Sequence, residues 1–407
     1  MKTITVNGGR PLFGSVFAQG SKNAALPIIF ATLITRGVSE VRHLPDIGDV
    51  RCALDIIREL GARVTSYGSV AYIDTRSLSF CEPSAEKISK IRASTYLLGS
   101  MLSRFGRCRL SAFGGCAFSD RPIDMHIDAC LAFGGRIVGN EIITDRLHPA
   151  DISFKKASVG ATINALILAA ATDGVSTVRG HAREPHVHAL IDFLRSAGAE
   201  IKISDELITV RGGELKGGNI AIIGDMIEAG SYLTAGLITG GRVSVIGADR
   251  EDLSSYLALA RELGCEVFER GSIISARATE LCRRVSIVAE PYPAFATDLQ
   301  PIIAPLLAVM SGGEICDRVW TGRYGYLKTL SSFGLSSRIE DGRAIIESSE
   351  LQPACVVAED LRGGMAALLC GLCAKGESRI ENAEQILRGY ENLVYKLRSL
   401  GADVSID

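Results

Sequence analysis

No apolar stretch of the 407-residue sequence runs unbroken for long enough to span a bilayer, and Met1-Lys2-Thr3-Ile4-Thr5-Val6 lacks the apolar core of an export signal. Both absences point to a cytoplasmic protein with no membrane partner. An excess of one charge sign is missing too. Lys and Arg number 44 against 46 Asp and Glu, a net charge of −2, so nothing draws the whole chain to nucleic acid and any basic site must be local. Neither the G-x-x-x-x-G-K-[ST] phosphate loop nor a G-x-G-x-x-G turn is present, which removes two common nucleotide cradles. There are only six histidines, and His186-Val187-His188 has no carboxylate at ligand spacing, so a metal centre is not expected. The eleven cysteines are scattered through helical and strand patterns and read as reduced thiols. Cys370-Gly371-Leu372-Cys373 lies within an apolar helical pattern, with no second pair to complete a metal site, and reads as core.

What the sequence does contain is a long repeat. An apolar helix ends in a small-residue turn and gives way to alternating strands at Leu60-Gly61-Ala62, Phe133-Gly134-Gly135, Ala197-Gly198-Ala199, Leu263-Gly264-Cys265, Phe333-Gly334 and Leu400-Gly401-Ala402. Glycine in that place predicts a left-handed helix terminus. Interleaved with this motif are helices rich in Ala, Gly, Ser and Thr, beginning near Asn23, Ala93, Val159, Glu228, Thr297 and Arg362. The combined unit is βαβαββ, repeated six times at roughly 65- to 70-residue spacing, too long for a simple solenoid. A chain of this length predicts two domains, hence three units in each, with the small-residue helices inside and the sheets outside.

Polar residues gather at the starts of the small-residue helices: Lys22-Asn23, Arg92, Lys156 with Ser158, Asp225 with Glu228, Asp298, and Asp360 with Arg362. Helix N-termini favour anions, so convergence of these ends predicts an anion-binding site served by Lys22, Arg92, Arg121, Arg323, Arg362 and Arg388. Asp298 opens an apolar helix, which fits either an N-cap or a general base. The stretch from Gly114 to His126 differs in composition from a core element. Two glycines precede Cys116, and Arg121 lies close enough in sequence to favour a thiolate or to hold an anion beside it.

These segments together resemble the motif series of the UDP-N-acetylglucosamine 1-carboxyvinyltransferases. The matching residues are Ser21 to Pro27, Arg92-Ala93-Ser94, Gly114-Gly115-Cys116, Arg121 to His126, Ser158 to Thr162, Thr297 to Gln300 and Arg388 to Glu391, in order along nearly the whole chain. The resemblance implies the α/β inside-out barrel fold of the EPSP synthase superfamily. One domain would run over residues 21–228 and the other over 1–20 with 229–407, with the site between them. It also implies transfer of the enolpyruvyl group of phosphoenolpyruvate to the 3′-hydroxyl of UDP-N-acetylglucosamine, the first committed step of peptidoglycan precursor synthesis, without metal or organic cofactor.

Carried over residue by residue, Cys116 is the acid that protonates phosphoenolpyruvate, on a Gly114-Gly115 hinge, and Asp298 is the base at the sugar hydroxyl. Lys22, Arg121 and Arg388 hold phosphate and carboxylate. Asn23, Arg92, Arg121, Pro122, Ile123, Asp124, Met125, Lys156, Ala157, Ser158, Val159, Asp298 and Val319 line the UDP-sugar site, joined by Arg323 and Arg362. The implied partners are the two small-molecule substrates alone, for a monomer or weak homo-oligomer, and fosfomycin would alkylate Cys116. Gly48, Phe113, His186 and Met226 depart from the family pattern. An enolpyruvyl transferase for another acceptor, or a silent UDP-sugar-binding paralogue, are the alternative readings.

Overall fold

The computed structural model describes residues 2–110, 122–279 and 282–407. They form two compact units, one of residues 2–19 with Gly224–Asp407, the other of Gly20–Ile223 apart from residues 111–121. Each has its own hydrophobic core. The chain leaves the first unit after Gln19 and returns at Gly224. The Asp225 N–H donates to the Gln19 carbonyl at 2.9 Å, so the return precedes the helix that Asp225 caps.

The repeat is clearest at Val285–Ala289, which pairs in parallel with Gly313–Asp317 across the helix Gln300–Val309. The helix Tyr326–Ser331 follows, and the hairpin of Ser337–Glu340 and Arg343–Ile346 completes the sheet antiparallel. The same plan recurs where Phe13–Phe17 pairs with Arg242–Ile246, except that the whole second unit is inserted after the first strand. In the third sheet of this unit Cys355–Val357 and Gly376–Glu381 are joined by Thr3–Gly8 and Asp403–Ile406, so both ends of the chain share one sheet.

The second unit repeats the plan at Asp151–Ser153 with Gly174–Arg179 and at Asn219–Ala221 with Val38–Arg42. Its third sheet, Arg107–Arg109, Arg136–Val138 and Glu141–Ile143, has three strands. Among the described residues five sheets thus have the four strands of a βαβαββ unit and the sixth has three, with three sheets to a body as the repeat predicts.

Composition explains which helices lie inside. Apolar or small residues on every side leave no face for water, and the helices are buried accordingly. Every residue from Ile227 to Ile238, from Gln300 to Ala308 and from Leu361 to Leu372 is buried, and these three helices pack on one another. Their counterparts in the second unit are buried over most of their length, and Leu97–Phe105 packs on both Val159–Ala171 and Lys22–Ala31. Fully burying one leucine such as Leu368 contributes about 1.5–3 kcal/mol. The six glycines that end the outer helices all adopt φ between 83° and 119°, the left-handed region in which a Cβ would be strained.

Candidate active site

In the first unit the sequence brings two buried arginine side chains to Asp298. This residue sits in the short turn Thr297–Leu299 that leads into the helix Gln300–Val309. It is not the cap of that turn: Ala296 holds the cap position, and no side chain caps it. The Asp298 carboxylate instead faces two guanidiniums. Arg323 Nη1 donates to Asp298 Oδ1 at 2.9 Å, and Arg362 Nη2 and Nε lie 3.2 and 3.3 Å from Oδ2. The arginine side chains are 5% and 4% exposed, against 29% for Asp298, so the acid presents its open side to solvent while its cations stay inside. A carboxylate so fixed can accept a proton from an alcohol placed on its open side.

Each arginine is held in turn. Arg323 Nη1 also reaches Thr297 Oγ1 at 3.0 Å, and the Arg323 carbonyl accepts from Gln300 Nε2 at 3.2 Å. Arg362 begins the helix Leu361–Cys373, where Asp360 caps the chain by accepting from the N–H groups of Arg362 and Gly363. Its Nη1 lies 3.4 Å from the Tyr390 hydroxyl, which is 2.7 Å from Ser231 Oγ, and its guanidinium stands 5.8 Å above the Tyr390 ring. Burial alone would push the Arg362 guanidinium down, but Asp298, Tyr390 and Asp225 outweigh it and the net shift is upward. Tyr390 belongs to the Arg388–Glu391 segment, so this contact places Arg388, whose Nη1 meets Gln385 Oε1 at 3.1 Å, two residues from the Asp298 cluster.

The same segment is anchored by a buried amide. Gln19 Nε2 donates to the Gly389 carbonyl at 2.8 Å and Gln19 Oε1 accepts from the Glu391 N–H at 2.6 Å. Beside it Glu228, 1% exposed, accepts from the Gln19 N–H and from Lys396 Nζ, both at 2.7 Å. Burial pushes the Glu228 carboxyl up to about 7 against the opposing pull of Lys396.

In the second unit Lys22 starts the helix Lys22–Ala31 and pairs at 3.2 Å with Asp49, a buried acid in the first turn of Gly48–Glu59. Asn23 follows it, half-buried. Arg92 opens the turn Arg92–Tyr96, and burial pushes its guanidinium down. Ser158 caps Val159–Ala171 by accepting from the Ala161 N–H, with Lys156 and Ala157 exposed just ahead of it. Pro122 and Ile123 lead into Asp124–Ala132, on which Asp124 is exposed, Met125 half-buried and His126 buried.

His126 ties these ends together. Asn164 Nδ2 lies 2.8 Å from His126 Nδ1 and 3.1 Å from the Thr95 carbonyl, while Asn164 Oδ1 accepts from the Gly99 N–H at 2.8 Å. Close approach requires glycine here: a Cβ on Gly99 would stand 2.7 Å from Asn164 Oδ1, and one on Gly160 only 2.5 Å from His126 Cε1. Burial, with Arg92 adding to it, pushes the His126 imidazole down to about 4.

The structure thus joins Asp298, Arg323 and Arg362 directly, with Val319 linked to them through Asp317, and sets Lys22, Asn23, Arg92, Pro122 to Met125 and Lys156 to Val159 each at or just before the start of its own helix or turn in the second unit. Cys116, Arg121 and the Gly114-Gly115 hinge lie outside the described residues. One expectation changes: Asp225 and Asp360 use their carboxylates on their own helix N–H groups, so those two ends are not open anion sites. Asp49, Asn164, Gln19, Tyr390 and Asp317 were not anticipated as parts of the site. Asp317 had a signal, since it takes an inward position in the alternation of Gly313–Asp317, where a carboxylate is costly unless partnered.

Two α/β bodies, each built from three such units around inner helices, with buried arginines on a helix-start carboxylate, define one class of protein. The chain belongs to the EPSP synthase (3-phosphoshikimate 1-carboxyvinyltransferase) family, whose model matches residues 6–397. Within it, the chain is 38% identical to UDP-N-acetylglucosamine 1-carboxyvinyltransferase 3 of Caldanaerobacter subterraneus and 36% identical to the UDP-N-acetylglucosamine 1-carboxyvinyltransferase of Clostridium botulinum, each over 99% of both chains. In fold it is similar to the enolpyruvyl transferase NikO from Streptomyces tendae, with a TM-score of 0.89 at 24% identity over 100% of this chain and 99% of that one. EPSP synthase from Acinetobacter baumannii gives 0.73 at 16% identity over 100% of both chains.

Proposed function

We propose that this protein transfers the enolpyruvyl group of phosphoenolpyruvate to the 3′-hydroxyl of UDP-N-acetylglucosamine, with release of phosphate. The reading is carried by full-length similarity at 36–38% identity to proteins of that name, over a chain whose motifs for the reaction stand in order. In the addition step Cys116 gives a proton to the methylene carbon of phosphoenolpyruvate, the sugar oxygen bonds to the adjacent carbon, and Asp298 takes the hydroxyl proton. In the elimination step the new methyl group loses a proton, the carbon–oxygen bond to phosphate breaks, and the enol ether forms. Lys22, Arg121 and Arg388 hold the phosphate and carboxylate and offset charge in the transition state.

Asn23, Arg92, Pro122 to Met125, Lys156 to Val159 and Val319 receive the UDP-sugar, and Arg323 and Arg362 fix Asp298 while Asp298 meets the acceptor. Positioned proton transfer of this kind is worth about 10²–10⁴-fold. The protein acts in the cytoplasm on small molecules, as a monomer or weak homo-oligomer, at the committed step toward peptidoglycan. No described helix is long and apolar enough to cross a membrane.

The test is phosphate release from phosphoenolpyruvate with UDP-N-acetylglucosamine, UMP or shikimate 3-phosphate supplied separately. Release with the UDP-sugar alone is expected, and release only with another acceptor, or with none, overturns the reading. Cys116→Ser should abolish turnover and the adduct that fosfomycin forms with the wild type in the presence of UDP-N-acetylglucosamine, read by intact-mass spectrometry.

A further inference from the structure

The strand Gly313–Asp317 delivers one buried acid, 3% exposed, to a position that no part of the reaction above uses. Asp317 Oδ1 accepts from the N–H groups of Val319 and Trp320, at 2.9 and 2.8 Å. This is an Asx-type arrangement in which the carboxylate shapes the turn that follows it. Asp317 Oδ2 accepts from Thr297 Oγ1 at 2.5 Å. The Thr297 hydroxyl, having given its proton to Asp317, accepts from Arg323 Nη1 at 3.0 Å, and the same nitrogen donates to Asp298 Oδ1 at 2.9 Å. The acid cannot drift, because its own N–H donates to the Tyr324 hydroxyl at 2.9 Å, and that buried phenol lies 3.0 Å from the Gly342 carbonyl. One carboxylate therefore sets two segments at once: the turn bearing Val319 and, through Thr297 and Arg323, the carboxylate of Asp298.

We propose that Asp317 is the positioning residue that holds the Val319 turn and the Asp298 carboxylate in register, so that the sugar bound at the first presents its hydroxyl to the second. The proposal rests on the reading of Val319 and Asp298 as acceptor-site residues. The chemistry requires an acid rather than an amide. Thr297 needs an anionic acceptor if its own lone pairs are to face Arg323, and an asparagine amide nitrogen at the Oδ2 position would offer a donor there instead. A displacement of the order of 1 Å at a base typically costs about 100-fold in rate, so the arrangement has a measurable consequence.

Trp320 is the chain's single tryptophan, so its fluorescence reports on this turn without further labelling. In Asp317→Ala, which removes the acceptor of both turn N–H groups, emission should shift to the red and acrylamide quenching should rise, whereas Asp317→Asn keeps an oxygen at the Oδ1 position and should not move either. In Thr297→Val, which keeps the turn bonds, both should stay at wild-type values. Turnover should fall about 100-fold in Asp317→Ala and about 10-fold in Thr297→Val. The affinity for UDP-N-acetylglucosamine, read by calorimetry, should weaken only in Asp317→Ala, where the acceptor of the turn is lost.

The double variant should be no slower than Asp317→Ala alone, because both changes break one path. Thr297→Ser, which retains the hydroxyl, should restore most of the rate. Wild-type turnover in Thr297→Val or Asp317→Asn, multiplicative losses in the double variant, or unchanged fluorescence and acceptor affinity in a folded Asp317→Ala would each overturn the proposal. If Asp317→Ala fails to fold, Asp317→Asn and Thr297→Val decide. Should the wild type itself release no phosphate with the UDP-sugar, the reaction reading fails, while fluorescence still shows whether Asp317 holds the turn.

Discussion

The two units are built on one plan yet treat the starts of their inner helices differently. In the first unit the ends close on buried charge: Asp298 between Arg323 and Arg362, and Glu228 against Lys396. In the second, one start, at Lys22, also meets a buried acid, Asp49, but the central joint is neutral, with the His126 imidazole, the Asn164 amide and the Thr95 and Gly160 carbonyls holding neighbouring helices together. Repetition of the backbone therefore does not repeat the electrostatics. A charged joint fixes groups that must act on protons and is costly to break, since removing one partner of a buried pair strands the other. A neutral joint holds geometry with little field of its own, leaving neighbouring charges, Arg92 first and Asp124 against it, to shape the local potential.

The sharpest way to break this comparison is at Asp298. Asp298→Asn should lower turnover by about 10²–10⁴-fold, the range of a lost general base, with steady-state phosphate release as the readout. It should also lower the melting temperature, since two buried guanidiniums then face a neutral amide; an unchanged rate would remove the base assignment. Next comes Arg362→Met, which takes one partner from Tyr390 and one from Asp298. Destabilisation of about 3–5 kcal/mol is expected from denaturant titration, and a loss below 1 kcal/mol would show the cluster to be soft.

Smaller effects separate the units by pH. His126 is held down at about 4 from 6.5, so the unfolded chain binds the extra proton between those values. Its contribution is present above pH 6.5 and is lost as pH falls toward 4, up to about 3 kcal/mol. Glu228 behaves in the opposite sense. With its carboxyl pushed up to about 7 from 4.5, the folded chain binds the extra proton, and the contribution present below pH 4.5 is lost as pH rises through 7.

The two slopes partly cancel in the wild type. His126→Gln should leave stability falling as pH climbs from 4.5 to 7, and Glu228→Gln should leave it rising. Thermal melts across that window check the pair, and parallel curves for the two variants would refute the assignment. The smallest effect on turnover is expected at Asn164→Asp, which keeps the side-chain size but replaces the donor to the Thr95 and Gly160 carbonyls with a charge beside His126. It should raise the histidine's pKa by NMR titration with turnover little changed.

Much of the fold was legible because its signals are local. Gly61 and its five counterparts announce helix ends through φ, and the alanine-rich runs of Val159–Ala171 and Leu361–Cys373 announce burial through composition. Asp298, Arg323 and Arg362 were legible as types of residue at helix starts, though not as one cluster. Gln19 was illegible, because a glutamine before a glycine carries no mark of the Gly389 carbonyl and Glu391 N–H it binds 370 and 372 residues away. Asp225 and Asp360 were misread as parts of an anion site because an acid at a helix start fits both a cap and a site, and only the side-chain rotamer tells them apart.

The sequence by itself determined the number of repeats and which helices are interior, since periodicity, glycine placement and residue type act within one turn or strand. Only the tertiary structure decided which charges meet. A hydrogen bond is made or lost within a few tenths of an ångström, and the partners of Asp298, Glu228 and Asp317 come from separate segments that the packing of the inner helices alone brings to that distance.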